Sequence, residues 1–170
     1  RWYDLALHDL FFYPKGGDPT VSPRIELYDA SNRHAIPWPD TEYGRYAKRY
    51  LLPMLELGPE RFVRNVRTRL IVISVDGIPV PVTVNEAEYG NSYVCSPYTH
   101  YVSYAREEMV LLRNRALTAG LGTLLAGIGW LLKRSRFNRI VHVNNWLLST
   151  NLYPELDGTQ WVALLDKLLS

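Results

Sequence analysis

The chain has 170 residues, a mass of 19.6 kDa and a formal net charge of +2. That is the length of one domain, able to bury roughly 70 % of its unfolded surface without a disulfide or a structural metal. Apolar residues at 47 % and charged residues at 21 % exclude a disordered chain, a collagen and a coiled-coil rod. The single cysteine, Cys95, excludes an internal disulfide and any multi-cysteine zinc site, and it fits a reducing, cytoplasmic setting. The small net charge gives no case for nucleic acid or an anionic membrane as an obligatory partner. Tyrosine, at 12 residues against 5 tryptophans and 4 phenylalanines, suits the walls of pockets and interfaces.

Residues 1–40 form an irregular segment broken by Pro14, Gly16, Gly17, Pro19, Pro23, Pro37 and Pro39. Within it, residues 2–12 carry aromatics and leucines suited to packing on a core. Arg24–Tyr28 alternates polar and apolar as a short strand does. The rest, 41–170, is one α/β domain. Thr41 caps a helix over 41–57, with Glu42 at its positive end and Pro53 as a kink or stop. A short helix over 59–66 follows.

Arg69–Val75 is a β-branched strand, Asp76-Gly77 a hairpin turn, and Val80–Val84 the return strand. Pro79 and Pro81 push that strand toward an edge or a bulge. A third strand is expected at Ser92–Ser96. Ser103 is a candidate cap for the next helix, with a bend or loop near Ala119–Gly122, where glycines cost roughly 1 kcal/mol each relative to alanine. Arg139–Val143 is a buried strand. Trp161, Leu164, Leu165 and Leu168 mark a final helix. The first thirty residues lack the basic start and long apolar run of a signal peptide.

Two segments carry candidate chemistry. Asn91, Ser92, Tyr93, Cys95, Ser96, His100 and Tyr104 gather an amide, hydroxyls, a thiol and an imidazole just past the strand-rich region. His100 is a candidate general base there, and Cys95 with His100 matches no cysteine-hydrolase spacing. Asn144, Asn145, Ser149 and Asn151 follow the strand at 139–143, where amides either bind a ligand or make turns. Gly120 and Gly122 precede an apolar helix and offer backbone N–H groups to a phosphate, or else permit close helix packing.

His8, His34, His100 and His142 have no metal-ligand spacing, and His142 has the setting of a core residue. Arg61, Arg64, Arg67 and Arg69, with Tyr46 and Tyr50, form no recognised RNA-binding motif. The uncharged run 116–132 is short of the roughly 20 residues of a membrane span and suits a buried core helix. Lys133, Arg134, Arg136 and Arg139 beyond it make a peripheral membrane contact through 116–136 the alternative.

The hairpin at 69–84, the strand near 92–96, the glycines of Gly120-Leu-Gly122 with Leu124 and Leu125, and the run Ile140-Val-His-Val-Asn-Asn145 together resemble the GNAT acyltransferase superfamily, with its Fem-type relatives. The resemblance covers roughly residues 41–170. It implies an α+β, three-layer α/β/α-like fold with a mixed, largely antiparallel sheet, whose last two strands would lie beyond Ser170. It implies acyl transfer from acyl-CoA, or a similar activated donor, to an amine acceptor, without a metal. Gly120 and Gly122 would then hold the donor, His100 and Tyr104 would serve catalysis, and Asn91, Ser92, Tyr93, Ser96, Asn144, Asn145, Ser149 and Asn151 would bind substrate. Leu117 stands where the family carries Arg or Gln before its glycines. That departure motivates the rival reading, a non-catalytic ligand-binding or protein-interaction domain.

Overall fold

The computed structural model describes residues 22–86 and 88–170. The expected packing of residues 2–12 falls outside them. The fold is α+β. Four strands, β1 (Ile25–Tyr28), β2 (Arg69–Val75), β3 (Ile78–Asn85) and β4 (Ile140–Val143), form an open sheet in the order β1-β2-β3-β4. Every neighbouring pair is antiparallel, with Tyr28 opposite Val72, Ile73 opposite Val80 and Thr83 opposite His142.

The β2–β3 hairpin follows from local chemistry. Asp76 (φ 48°) and Gly77 (φ 87°) both take positive φ, as a two-residue turn matched to strand twist requires. The Asp76 carboxylate accepts from the Arg24 backbone N–H and from the Gln160 side-chain amide, both at 2.8 Å. It thus pins the start of β1 and the last helix to one turn.

Pro79 and Pro81 do not make β3 an edge strand along its whole length. Residues 82–84 lie between β2 and β4, whereas 78–81 pair with β2 alone. The carbonyls that point away from β2 are taken from elsewhere. Pro79 O accepts from the Tyr43 hydroxyl at 2.7 Å, and Pro81 O from the Asn145 backbone N–H at 3.0 Å. The prolines place their missing N–H groups on that unladdered side, so β2 loses no partner.

Both faces of the sheet are covered, which explains why β2 and β3 are near-continuous apolar runs. On one face Leu70 and Val72 pack with Tyr28, Trp146 and helix α1 (Glu42–Leu57) through Ala47, Leu51, Met54 and Leu55. On the other, Ile71, Ile73, Val75, Val80 and Val82 pack with Leu156 and helix α4 (Gly158–Leu169) through Leu164. Thr41 caps α1 by accepting from Gly44 N–H at 3.1 Å. Gly44 is needed there, because a Cβ would stand 2.1 Å from Pro39 O. The helix runs on through Pro53, held by the buried Met54 and Leu55 beyond it. A single 3-10 turn, Pro59–Arg61, replaces the short helix expected over 59–66. A capping box of Asp157 and Gln160 starts α4.

The connection from β3 to β4 departs most from expectation. No strand forms at Ser92–Ser96. Ser92 O accepts from the N–H groups of Cys95 (3.1 Å) and Ser96 (2.9 Å), so the backbone is spent on turns. A helix then begins at Pro97, with Ser96 Oγ accepting from Thr99 N–H at 3.1 Å, a serine cap followed by proline in the first turn. It passes through a π-turn, Thr99–Ser103, into α2 (Tyr104–Glu108) and a 3-10 turn, Met109–Leu111. Ser103 lies within this run and caps nothing.

Helix α3 (Arg115–Arg134) starts at Asn114, whose side chain accepts from Leu117 N–H at 3.1 Å, and runs unbroken past Ala119–Gly122. The expected bend is absent. The expectation of a buried core helix is also overturned, since within α3 Gly129 alone is buried. Thr118, Gly122, Leu125, Gly129 and Leu132 form the face turned to the domain, and Gly129 meets Tyr98 and Val102. Among the described residues α3 alone is long and apolar enough to cross a membrane by length and composition.

Candidate functional site

The two segments marked out in the sequence meet at one cleft of about 290 Å³. It is lined by Tyr93, Val94, His100, His142, Val143, Asn145, Leu148, Ser149 and Asn151. The hairpin's partner strand β4 brings up His142 and Val143. The turn after β4, in which Asn144 (φ 56°) and Leu147 (φ 58°) take the left-handed conformation, folds Ser149 and Asn151 back toward them. The start of the helical run at Pro97 supplies His100 opposite.

His142 was expected to be a satisfied core residue, and it is not. It is half-buried on β4, its Nδ1 is covered and has no hydrogen-bond partner, and the ring lines the cleft. Burial holds its pKa below the usual histidine value, so the ring is neutral near pH 7. The covered Nδ1 is closed to a ligand, so the neutral ring can accept a hydrogen bond or a proton from one only through Nε2.

The residues around it divide by what their polar groups already do. Tyr93 and His100 are exposed at the rim, with ring centroids 6.4 Å apart, and Tyr104 packs tilted against Tyr93 at 5.4 Å without lining the cleft. Ser149 is exposed, and Asn151 accepts from Trp146 N–H through Oδ1 at 3.1 Å. These four lining residues offer hydroxyl, imidazole and amide groups to a ligand.

Asn145 is different. Its amide donates to Thr83 Oγ1 at 2.9 Å and Val94 O at 2.8 Å and accepts from Leu147 N–H at 2.9 Å, so it builds the wall rather than reads a ligand. Asn144 is likewise spent, donating to Leu152 O and accepting from the Trp146 indole N–H. Asn91 clamps the Arg67 backbone at both ends, at 2.6 and 2.7 Å. Ser92 is buried in its turn, and Ser96 caps the helix and bonds the buried Asn138. These five are structural supports of the cleft.

Gly120 and Gly122 lie mid-helix in α3, with backbone N–H groups in the helical ladder, and a Cβ at either would meet nothing within 4 Å. They offer neither a phosphate loop nor a close packing contact. Cys95 is fully buried, and burial with Glu88 nearby pushes its thiol up to about 11, which leaves it an inert protonated thiol.

Two further cavities flank the fold. One, of about 680 Å³, is lined by Tyr43, Tyr46, Leu152 and Tyr153 with Glu42, Arg49 and Glu155 at its edges. Its floor is an aromatic cluster in which Tyr43 meets Trp146 edge-on at 5.8 Å and Tyr46 stacks on Tyr50 at 5.8 Å. The other, of about 1010 Å³, sets Arg64, Arg67 and Arg69 against Glu60, Glu86 and Glu88. The arginines are therefore offset by carboxylates and lie apart from Tyr46 and Tyr50. Among the described residues no group of three His, Cys, Asp or Glu side chains could hold a metal.

No protein-family model matches the chain, and neither a curated protein nor a solved structure shows significant similarity to it.

Proposed function

We propose that this domain is an acyltransferase that acts on a small amine in the cleft between β4 and the helical run at Pro97. The observation that carries the reading is His142, a neutral imidazole that lines the cleft together with Ser149, Asn151 and Tyr93. The amine nitrogen attacks the carbonyl carbon of an activated acyl donor such as acyl-CoA. A C–N bond forms, the C–S bond breaks, His142 takes the proton lost by the amine, and the thiolate leaves. Ser149, Asn151 and Tyr93 orient the acceptor. The reaction class rests on the resemblance of the sequence to the acyltransferase superfamily. In that reading the antiparallel sheet is part of a larger one, extended along the outer edge of β4.

The mid-helix position of Gly120 and Gly122 favours a second reading, a non-catalytic binding domain without a donor loop. One experiment separates the two. The chain is incubated with acyl-CoAs and primary amines, with thiol release and thermal unfolding followed in parallel. A ligand at 100 times its dissociation constant adds about 2.7 kcal/mol, a rise of roughly 5–10 °C at this size. Turnover lost in Ser149→Trp, which fills the cleft, supports acyl transfer. A shift on amines without turnover supports the binding domain, and neither shift nor turnover refutes both.

A further inference from the structure

We propose that α3 docks the domain on an anionic membrane surface, lying in its plane. Five aliphatic side chains, Leu117, Leu121, Leu124, Ile128 and Leu131, stand 37–61 % exposed. Their 4-3-4-3 spacing gathers them on one ridge of the helix, about a quarter-turn from the face that meets the domain. Nothing between Ala116 and Leu132 is charged, so no polar stripe explains why water is tolerated there. A contiguous apolar ridge of this size marks a surface that is covered in use.

Charge selects what covers it. Between Glu108 and Glu155 the chain has no acidic residue and six basic ones: Arg113, Arg115, Lys133, Arg134, Arg136 and Arg139. They cluster at the two ends of α3, in a chain whose net charge is only +2. A second copy of α3, laid parallel or antiparallel on the ridge, would set basic ends against basic ends. An anionic lipid surface meets both ends with opposite charge while the acyl boundary takes the ridge.

The orientation also follows from the structure. All 20 residues of α3 reach about 30 Å, so crossing the roughly 30 Å hydrocarbon core would draw Arg115, Lys133 and Arg134 into it, while the uncharged run of 17 covers only about 26 Å. The helix is moreover held along its side, with Gly129 against Tyr98 and Val102 and Lys133 O accepting from the Tyr89 hydroxyl at 3.1 Å. A spanning helix would carry those polar neighbours into lipid. A helix lying flat leaves them in water.

The test is co-sedimentation of the 170-residue chain with vesicles of phosphatidylglycerol and phosphatidylcholine, against phosphatidylcholine alone. Its oligomeric state without lipid is measured alongside. The expected result is binding at least tenfold stronger on the anionic vesicles and weakened by salt, because a Debye length of about 10 Å at 0.1 M screens the contact. Leu124→Glu, at an exposed site, and Arg113→Gln with Arg115→Gln should each cut binding at least tenfold, with the unfolding midpoint kept. Equal binding to neutral vesicles, or none to either, overturns the proposal. A dimer in the absence of lipid that Leu124→Glu dissociates overturns it in favour of self-association.

Discussion

Replacing the glycines of α3 by alanine tests whether that helix is continuous. A glycine inside a helix costs about 1 kcal/mol relative to alanine, through the backbone entropy it loses on folding. Gly120, Gly122 and Gly127 all lie within α3, and a Cβ at each would meet nothing within 4 Å. No packing penalty opposes the gain. Each substitution should add about 0.5–1 kcal/mol, and the triple variant about 2 kcal/mol, since the added methyl groups share no neighbouring partner. For a chain of this size that raises the midpoint by roughly 4–8 °C in calorimetry. Gly129→Ala is the internal control. Its Cβ would stand 3.0 Å from the Tyr98 hydroxyl oxygen and 3.3 Å from Val102 Cγ1, so its gain should vanish or turn into a loss. Three neutral or destabilising substitutions at 120, 122 and 127 would refute the continuous helix, because a loop with glycine-specific backbone geometry would reject alanine.

Three further predictions concern the site and its supports. Because the folded pKa of His142 is depressed, the unfolded chain binds more protons below pH 6.5, so stability should fall as pH drops from 7 toward 5. His142→Gln should flatten that slope in pH-dependent urea unfolding, and an unchanged slope would show the ring to be solvated. Asn145→Ala should cost about 2–4 kcal/mol in urea unfolding, because it strands the Thr83 hydroxyl, Val94 O and Leu147 N–H; a loss under about 1 kcal/mol would mean that water replaces the amide. Cys95 should resist a disulfide-exchange reagent at pH 8 in the folded chain and react at once in urea, and fast labelling of the folded chain would contradict its burial.

The parts of the fold that could be read from the sequence are those in which short-range chemistry and tertiary packing agree. Asp76-Gly77 demands positive φ at two residues, and the flanking β-branched runs leave one register that buries both faces. Thr41 and the leucine stripe of α4 are similar cases. The segment 92–96 misled because Val94 and Cys95 favour a strand, whereas the Ser92 carbonyl and the Ser96 hydroxyl offer the backbone a turn and a helix cap. Ser96-Pro97 was a legible helix start hidden by that reading. The α3 glycines misled in the opposite way. Their summed propensity cost is a few kcal/mol, less than a run of leucines and a docked face can offset. For the site, the sequence brought forward the two segments that form the cleft but not the role of each amide. Which asparagines are consumed by backbone depends on partners such as Thr83 and Arg67, far away in the chain. His142 was hidden by its apolar neighbours, which say nothing about a missing partner for Nδ1.

The unladdered prolines of β3 bear on how the chain reaches this fold. The β2–β3 hairpin closes across two residues and can form in roughly 1–10 μs. Its outer neighbours come later, since Tyr28 must find Val72 and Val143 must find Val82 across long intervening loops. Until α1 and α4 arrive, the nascent hairpin shows two apolar faces and two open edges, the condition in which chains add to one another's strands. Pro79 and Pro81 remove two donors from one of those edges for the whole of that interval. A variant with Val at both positions should fold to the same sheet yet lose yield to aggregation during refolding, the more so as protein concentration rises.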